Sequence, residues 1–235
     1  MDEQSAPRTA RGLARAEMTN RILRHARGQL QDAGPGELSL RAIARDLGMA
    51  SSAIYRYFSS RDELLTALLV EVYDELGGTL EAADAAVRPR TAYRRRFTAL
   101  ARTLRAWALE HPHDWALLYG SPLPGYAAPP DTVPAAVRAT GAFIGILADA
   151  QARGLRPDSQ GPRATRRARA SVAGLVATLD APVEDDLLLR GMTAWSAVMG
   201  TISLELFGHL HRAVVDYPAY FDQLVDRVAR GLGLD

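Results

Sequence analysis

Leu38-Ser39-Leu40-Arg41-Ala42-Ile43-Ala44-Arg45-Asp46-Leu47-Gly48-Met49 runs directly into Ala50-Ser51-Ser52-Ala53-Ile54-Tyr55-Arg56-Tyr57-Phe58-Ser59-Ser60-Arg61-Asp62-Glu63-Leu64-Leu65. Leu40, Ile43, Ala44 and Leu47 recur at three- and four-residue intervals, which predicts a short amphipathic helix capped by Ser39. Gly48 marks the turn. Ile54 and Phe58, one turn apart, give the next helix an inward edge to pack on Leu40, Ile43 and Leu47. Ser51, Ser52, Ala53, Tyr55 and Arg56 are left pointing outward. Such a helix-turn-helix suits a DNA major groove: hydroxyls donate or accept at base edges and phosphates, and an alanine methyl sits against a thymine methyl. Tyr57, Arg41, Arg61 and the first backbone N–H groups of the following helix are placed for phosphates.

Working outward, Ile22, Ala26 and Leu30 fall four apart in a preceding helix that should stop at Asp32-Ala33-Gly34-Pro35-Gly36. Downstream, Ser60-Arg61-Asp62-Glu63 reads as a capping box opening a long helix towards Ala86. From Ser5 to Arg61 ten arginines face four acids, a surplus of six that fits phosphate neutralisation. Arg8, Arg11 and Arg15 are read as a flexible basic arm over residues 1–15, which could reach a neighbouring groove but is better read as solvated. Every basic residue is arginine, and with abundant Ala, Gly and Pro this points to a GC-rich genome.

The rest of the chain repeats the helical pattern, with expected helices near 91–110, 113–119, 133–153, 163–179, 184–210 and 218–232. Sustained polar–apolar alternation and Asn-Gly hairpins are missing. The fold expected is all-α: a helix-turn-helix DNA-binding head over 1–66 and a larger ligand-binding and dimerisation body over 67–235. A proline-rich loop spans Gly120 to Pro130. Around it Trp107, His111, Trp115, Tyr119, Tyr126, Phe143, Trp195 and Met199 supply aromatic and apolar material, broken by a few polar groups, for a mostly apolar ligand pocket.

Composition narrows the alternatives. Hydrophobic content of 48% with 23% charge is ordinary for a soluble globular protein. No run of the ~18 apolar residues needed for a membrane span is evident, and the polar segment Met1 to Arg11 carries no secretory h-region. A cytoplasmic location and no membrane partner follow as expectations. The absence of cysteine removes disulfides, thiolate metal sites and cysteine nucleophiles. No Gly-x-Ser-x-Gly, phosphate loop or dinucleotide fingerprint occurs, so neither an enzyme nor a cofactor is expected. His111-Pro112-His113-Asp114 and His209-Leu210-His211 look like metal fragments, but helical neighbours two apart face different ways. Glu205 and His209, four apart, could share a helix face and chelate a divalent ion; a surface ion pair or cap is the preferred reading, and no metal is expected. A helical small-molecule binder without specific DNA function is the alternative, opposed by the intact head.

The pattern Ile22…Ala26…Leu30, Leu40-x-x-Ile43-Ala44-x-x-Leu47-Gly48, then Ile54-Tyr55-x-Tyr57-Phe58-x-Ser60-Arg61-x-Glu63-Leu64 resembles the TetR family of bacterial transcriptional regulators. That family commonly has His at the place of Tyr57 and Lys at those of Ser59 and Arg61; Tyr and Arg keep the capacity to bind phosphate, whereas Ser59 loses a charge. The segment from Trp195 to Gly208 resembles a subgroup with a Trp…His-Gly signature, in which Trp195 and Gly200 match and Met199 stands at the histidine. The resemblance implies a homodimer, formed through helices near 163–179 and 184–207, on a pseudo-palindromic double-stranded operator. It also implies release by a small-molecule effector, with repression as the commoner mode. Gly200 inside a helix would then serve close approach at the dimer seam.

Overall fold

The computed structural model describes residues 9–34, 37–155, 164–179 and 182–234. Among them there is no strand. Ten α-helices follow one another, α1 (Ala10–Ala33), α2 (Leu40–Asp46), α3 (Ser51–Ile54), α4 (Arg61–Ala86), α5 (Tyr93–Glu110), α6 (Pro112–Tyr119), α7 (Val133–Ala152), α8 (Arg166–Leu179), α9 (Asp185–Leu206) and α10 (Tyr217–Gly231). Arg8, Pro35, Gly36 and Arg163 lie outside the described residues.

Contacts divide the chain into two compact units. One comprises Met1–Val72 and His113–Thr132, the other Tyr73–Pro112 and Val133–Asp235. In the first unit α6 and the proline-rich loop group with the helix-turn-helix.

In the first unit α1 begins well before the apolar periodicity does. Thr9 caps it, its hydroxyl accepting from the Gly12 amide at 3.2 Å. Arg11 and Arg15 therefore stand on a helix, which corrects the expected flexible arm over residues 10–15. Residues 10–17 are exposed throughout and so carry no apolar stripe to read; alanine, leucine and arginine, which dominate there, are good helix formers. Ile22, Leu23, Ala26 and Leu30 are buried, as are Leu40, Ile43, Ile54 and Phe58, and α1 packs on α2.

Between α2 and α3 the chain makes a Schellman turn. Gly48 adopts φ 66, its amide donates to Arg45 O at 3.0 Å and the Met49 amide to Ala44 O at 2.8 Å. A side chain at Gly48 would be strained in that left-handed conformation. The second helix is only one turn, continued as turns that place the Phe58 amide 3.1 Å from Ile54 O. At the start of α4 the Ser60 hydroxyl accepts from the Glu63 amide at 3.1 Å. The reciprocal arm of the capping box is shifted by one residue: Glu63 Oε2 accepts from the Ser59 amide and the Ser59 hydroxyl, both at 2.6 Å. Helix α6 is fastened by a buried ion pair, Arg27 Nη2 donating to Asp114 Oδ2 at 2.7 Å and Nε to both carboxylate oxygens.

In the second unit α9 packs against α5, α7, α8 and α10. Phe97, Leu100 and Leu104 of α5, Phe143 and Leu147 of α7, Val198 and Ile202 of α9 and Phe221 of α10 form the core. Gly191 permits the approach of α9 to α7; a Cβ there would lie 2.6 Å from Leu147 Cδ1. The segments Pro130–Ala152 and Asp185–Leu206 are long and apolar enough to cross a membrane by length and composition, contrary to the sequence reading. Both helices bury residues in this core, including Ala139, Phe143, Ile146, Leu188 and Val198. A buried polar centre stands within it. Arg96, 2% exposed, donates to Asp84 Oδ1 at 2.7 Å and to Asp149 Oδ2 at 2.7 Å, tying α5 to the end of α4 and to α7.

Candidate nucleic-acid interface

Burial fixes the facing of the recognition helix. Ile54 is fully buried and Phe58 5% exposed, so α3 cannot rotate without uncovering them. Ser51, Ser52, Tyr55 and Arg56 are exposed and Ala53 is half-buried. Arg41 is exposed on α2; Tyr57 and Arg61 are half-buried. Six of the predicted residues lie on α3 and the turn after it, while Arg41 stands on α2 and Arg61 at the start of α4. Ser59, whose lost charge relative to the family pattern stood out in sequence, is a cap partner of Glu63. Its hydroxyl bond, and then its amide bond, hold the Glu63 carboxyl below the usual carboxylate range.

Arg15 is a contact the sequence reading missed. Its Nη2 donates to Arg56 O at 2.9 Å, and its guanidinium carbon lies 5.2 Å from the centroid of the Tyr57 ring. Extending the helical spacing back from Ile22 would have placed Arg15 two turns before it, on the side of the helix-turn-helix. Arg27 offered no such signal, because its partner Asp114 is 87 residues away.

The eight residues expected to line one ligand pocket fall in both units. Trp115, Tyr119 and Tyr126 belong to the first: Trp115 is fully buried against Tyr119 at 4.8 Å between rings, and Tyr126 Oη shares a hydrogen bond with Thr66 Oγ1 at 2.9 Å. Trp107, His111, Phe143, Trp195 and Met199 belong to the second. There Trp107 Nε1 donates to Glu75 Oε1 at 3.3 Å and stacks 5.1 Å from His111, while Phe143 meets Phe97 and Trp195 edge-on. A cavity of about 400 Å3 lies elsewhere in the second unit, lined by Leu189, Arg190, Thr193 and Ala194 of α9 and by Val228 and Leu232; none of the eight lines it.

Glu205 and His209 lie on either side of a helix end. Helix α9 ends at Leu206, where Gly208 turns to φ 76, so the two side chains do not share a helix face. Glu205 instead receives both Arg105 Nε, at 2.8 Å, and Nη2, at 2.5 Å. Beside it, α9 carries an outward stripe of Ser196, Gly200, Leu204 and Phe207. The last two are 42% and 46% exposed, and nothing lies within 4 Å of a Cβ built on Gly200.

Comparison with known proteins agrees with this architecture. Residues 22–68 match the family described as bacterial regulatory proteins, tetR family, and residues 97–228 match the tetracyclin repressor-like C-terminal domain. HTH-type transcriptional regulators of Mycobacterium bovis and Mycobacterium tuberculosis are 44% identical to the chain over 199 residues, covering 83% of it and 83% of each relative. Among solved structures, the regulatory protein SCO4313 superposes with a TM-score of 0.76 at 32% identity, over 94% of this chain and 98% of that one. A protein from Rhodococcus sp. RHA1 superposes with a TM-score of 0.69 at 25% identity, over 98% and 100%. With both parts matched and relatives of this similarity, the chain belongs to the TetR family of transcriptional regulators, which bind DNA and are not enzymes.

Proposed function

We propose that this chain is a homodimeric, ligand-responsive repressor that reads a pseudo-palindromic operator through Ser51, Ser52, Ala53, Tyr55 and Arg56. Arg41, Tyr57 and Arg61 hold phosphates. The observation that carries this reading is the facing of α3: burial of Ile54 and Phe58 turns the serines, Tyr55 and Arg56 to solvent as one group. Two such helices about 34–36 Å apart, one DNA turn, would read matching half-sites. Support for the dimer comes from the outward stripe of α9, in which Leu204 and Phe207 are large apolar side chains left in water and Gly200 offers room for a second helix. The effector is a small, mostly apolar molecule held in the body. It acts only through different affinities for the DNA-binding and released conformations, and α4, which begins in the first unit and ends in the second, is the lever that reports them.

The test is selection of binding sites from a random duplex library, followed by sedimentation of free and DNA-bound protein. The expected result is a two-fold symmetric site bound at nanomolar concentration by a dimer, with Tyr55→Ala and Arg56→Ala weakening binding in a folded protein. Phe207→Asp is expected to shift the free protein towards monomer. Weak, sequence-blind binding with a steep salt dependence would refute operator recognition and leave a helical small-molecule binder.

A further inference from the structure

The family match begins at residue 22, yet α1 begins at Ala10, a further three turns of helix upstream. One side chain of that extension reaches the recognition element. Arg15 Nη2 donates to Arg56 O at 2.9 Å, and its guanidinium lies over the Tyr57 ring at 5.2 Å. Both contacts fall where α3 has given way to turns: the helix proper ends at Ile54, and the amides of Arg56 and Tyr57 bond Ala53 O at 3.3 Å and Ile54 O at 2.9 Å. A one-turn helix has little intrinsic order, so its carbonyl end needs partners from outside. Cations at a helix C-terminus are favoured by the exposed carbonyl dipoles, and a planar guanidinium can bond a carbonyl and stack on a ring at the same time.

We infer that Arg15 is a positioning residue for operator recognition: it clamps the carbonyl end of the recognition turn through Arg56 O and the Tyr57 ring, presetting Arg56 and Tyr57 for DNA. The inference rests on the proposed DNA-reading role of those two residues. Lysine is a poor substitute for the arginine, because a compact ammonium cannot bond the carbonyl and lie flat on the ring at the same time. Thr19 Oγ1 donates to Arg15 O at 3.0 Å, so the extension is bonded as a helix behind the clamp. Arg15 itself is exposed, so its replacement leaves the core untouched.

The experiment uses the full chain and the operator duplex obtained by selection, with an unrelated duplex of equal length as the non-specific reference. Wild type, Arg15→Gln, Arg15→Lys, Tyr57→Leu and the Arg15→Gln/Tyr57→Leu double variant are compared in operator Kd, salt slope and thermal midpoint. A positioning role predicts that Arg15→Gln weakens operator binding about tenfold and that Arg15→Lys behaves like it. Non-specific affinity, thermal midpoint and salt slope should hardly move. In the Tyr57→Leu background the same replacement should cost appreciably less, because the ring through which Arg15 acts is gone. A direct phosphate contact would instead let Arg15→Lys rescue binding, while Arg15→Gln would lower the salt slope by about 0.9 for each phosphate lost. That result overturns the inference, as does wild-type binding by Arg15→Gln. If the wild-type protein selects no sequence, the DNA-reading proposal itself has failed and the positioning role falls with it.

Discussion

Replacing Arg96 by Met removes one guanidinium from the interior of the second unit while keeping its aliphatic length. The side chain is 2% exposed and bonds Asp84 through Nε at 2.7 Å and Nη2 at 3.0 Å, Asp149 through Nη1 at 2.7 Å and the carbonyl of Arg90 at 3.2 Å. Its two acids differ in what they lose. Asp149 is 56% exposed and rehydrates, so its bond counts as a surface pair, up to about 1 kcal/mol. Asp84 is 15% exposed and cannot be well hydrated where it sits. Stripping one partner from a buried pair costs about 3–5 kcal/mol, but Asp84 keeps Arg90, 42% exposed, and Met refills the apolar channel. A loss of about 3 kcal/mol at pH 7, at the low end of that range, is therefore expected.

The pH dependence supplies a second handle. Burial pushes the Asp84 carboxyl up, but hydrogen bonds from Arg96 and then Arg90 outweigh it, and the carboxyl ends below its usual value. A depressed carboxyl contributes stability that is complete above the unfolded value of about 3.9 and fades as pH falls through the folded one. The penalty of Arg96→Met should accordingly be full at neutral pH and shrink as pH is lowered below about 4. Urea unfolding at one protomer concentration, followed by circular dichroism and tryptophan fluorescence, measures both. A loss below about 1 kcal/mol at pH 7, or a loss unchanged by acid, would refute the reasoning.

Gly77 and Gly78 of α4 should respond oppositely to alanine. A Cβ on Gly77 would lie 2.8 Å from Arg138 Cβ, and Arg138 is held by Asp74 and Glu81, so Gly77→Ala should lower the melting temperature. Gly78→Ala meets only Arg138 Nη2 at 3.8 Å and should gain up to about 1 kcal/mol of helix propensity. In the first unit Arg27→Met should cost about 3–5 kcal/mol, because Asp114 is 1% exposed and loses its cation. Asp114→Asn should cost less, because Arg27, 19% exposed, can turn to water; amide exchange in α1 and α6 reads the difference. Ser60→Ala should remove about 1 kcal/mol by uncapping α4, seen as faster exchange of the Glu63 amide.

The helix-turn-helix was legible in the sequence because its signals are local. Ser39 and Ser60 cap, Gly48 turns, and Ile43, Ile54 and Phe58 point inward at helical spacing. Each of these acts on a neighbour within a turn or two, and together they fix which side chains of α3 face solvent. Helix ends in the body were read less well. The Gly208 turn stops α9 at Leu206, although the apolar pattern continues to Leu210.

Tertiary structure decided what depends on distant partners. No periodicity marks the exposed start of α1, so Arg15 looked like part of a loose arm until its contacts with Arg56 and Tyr57 were seen. The aromatics around the proline-rich loop formed a single cluster in sequence. Folding buries Trp115 in the first unit, where Asp114 finds Arg27 and Tyr126 finds Thr66. Composition named the residue types available to a pocket. Which of them share a wall is set by ion pairs and packing between residues tens of positions apart, and the entropy of closing such loops grows so slowly with length that sequence separation gives no guide to which pairs form.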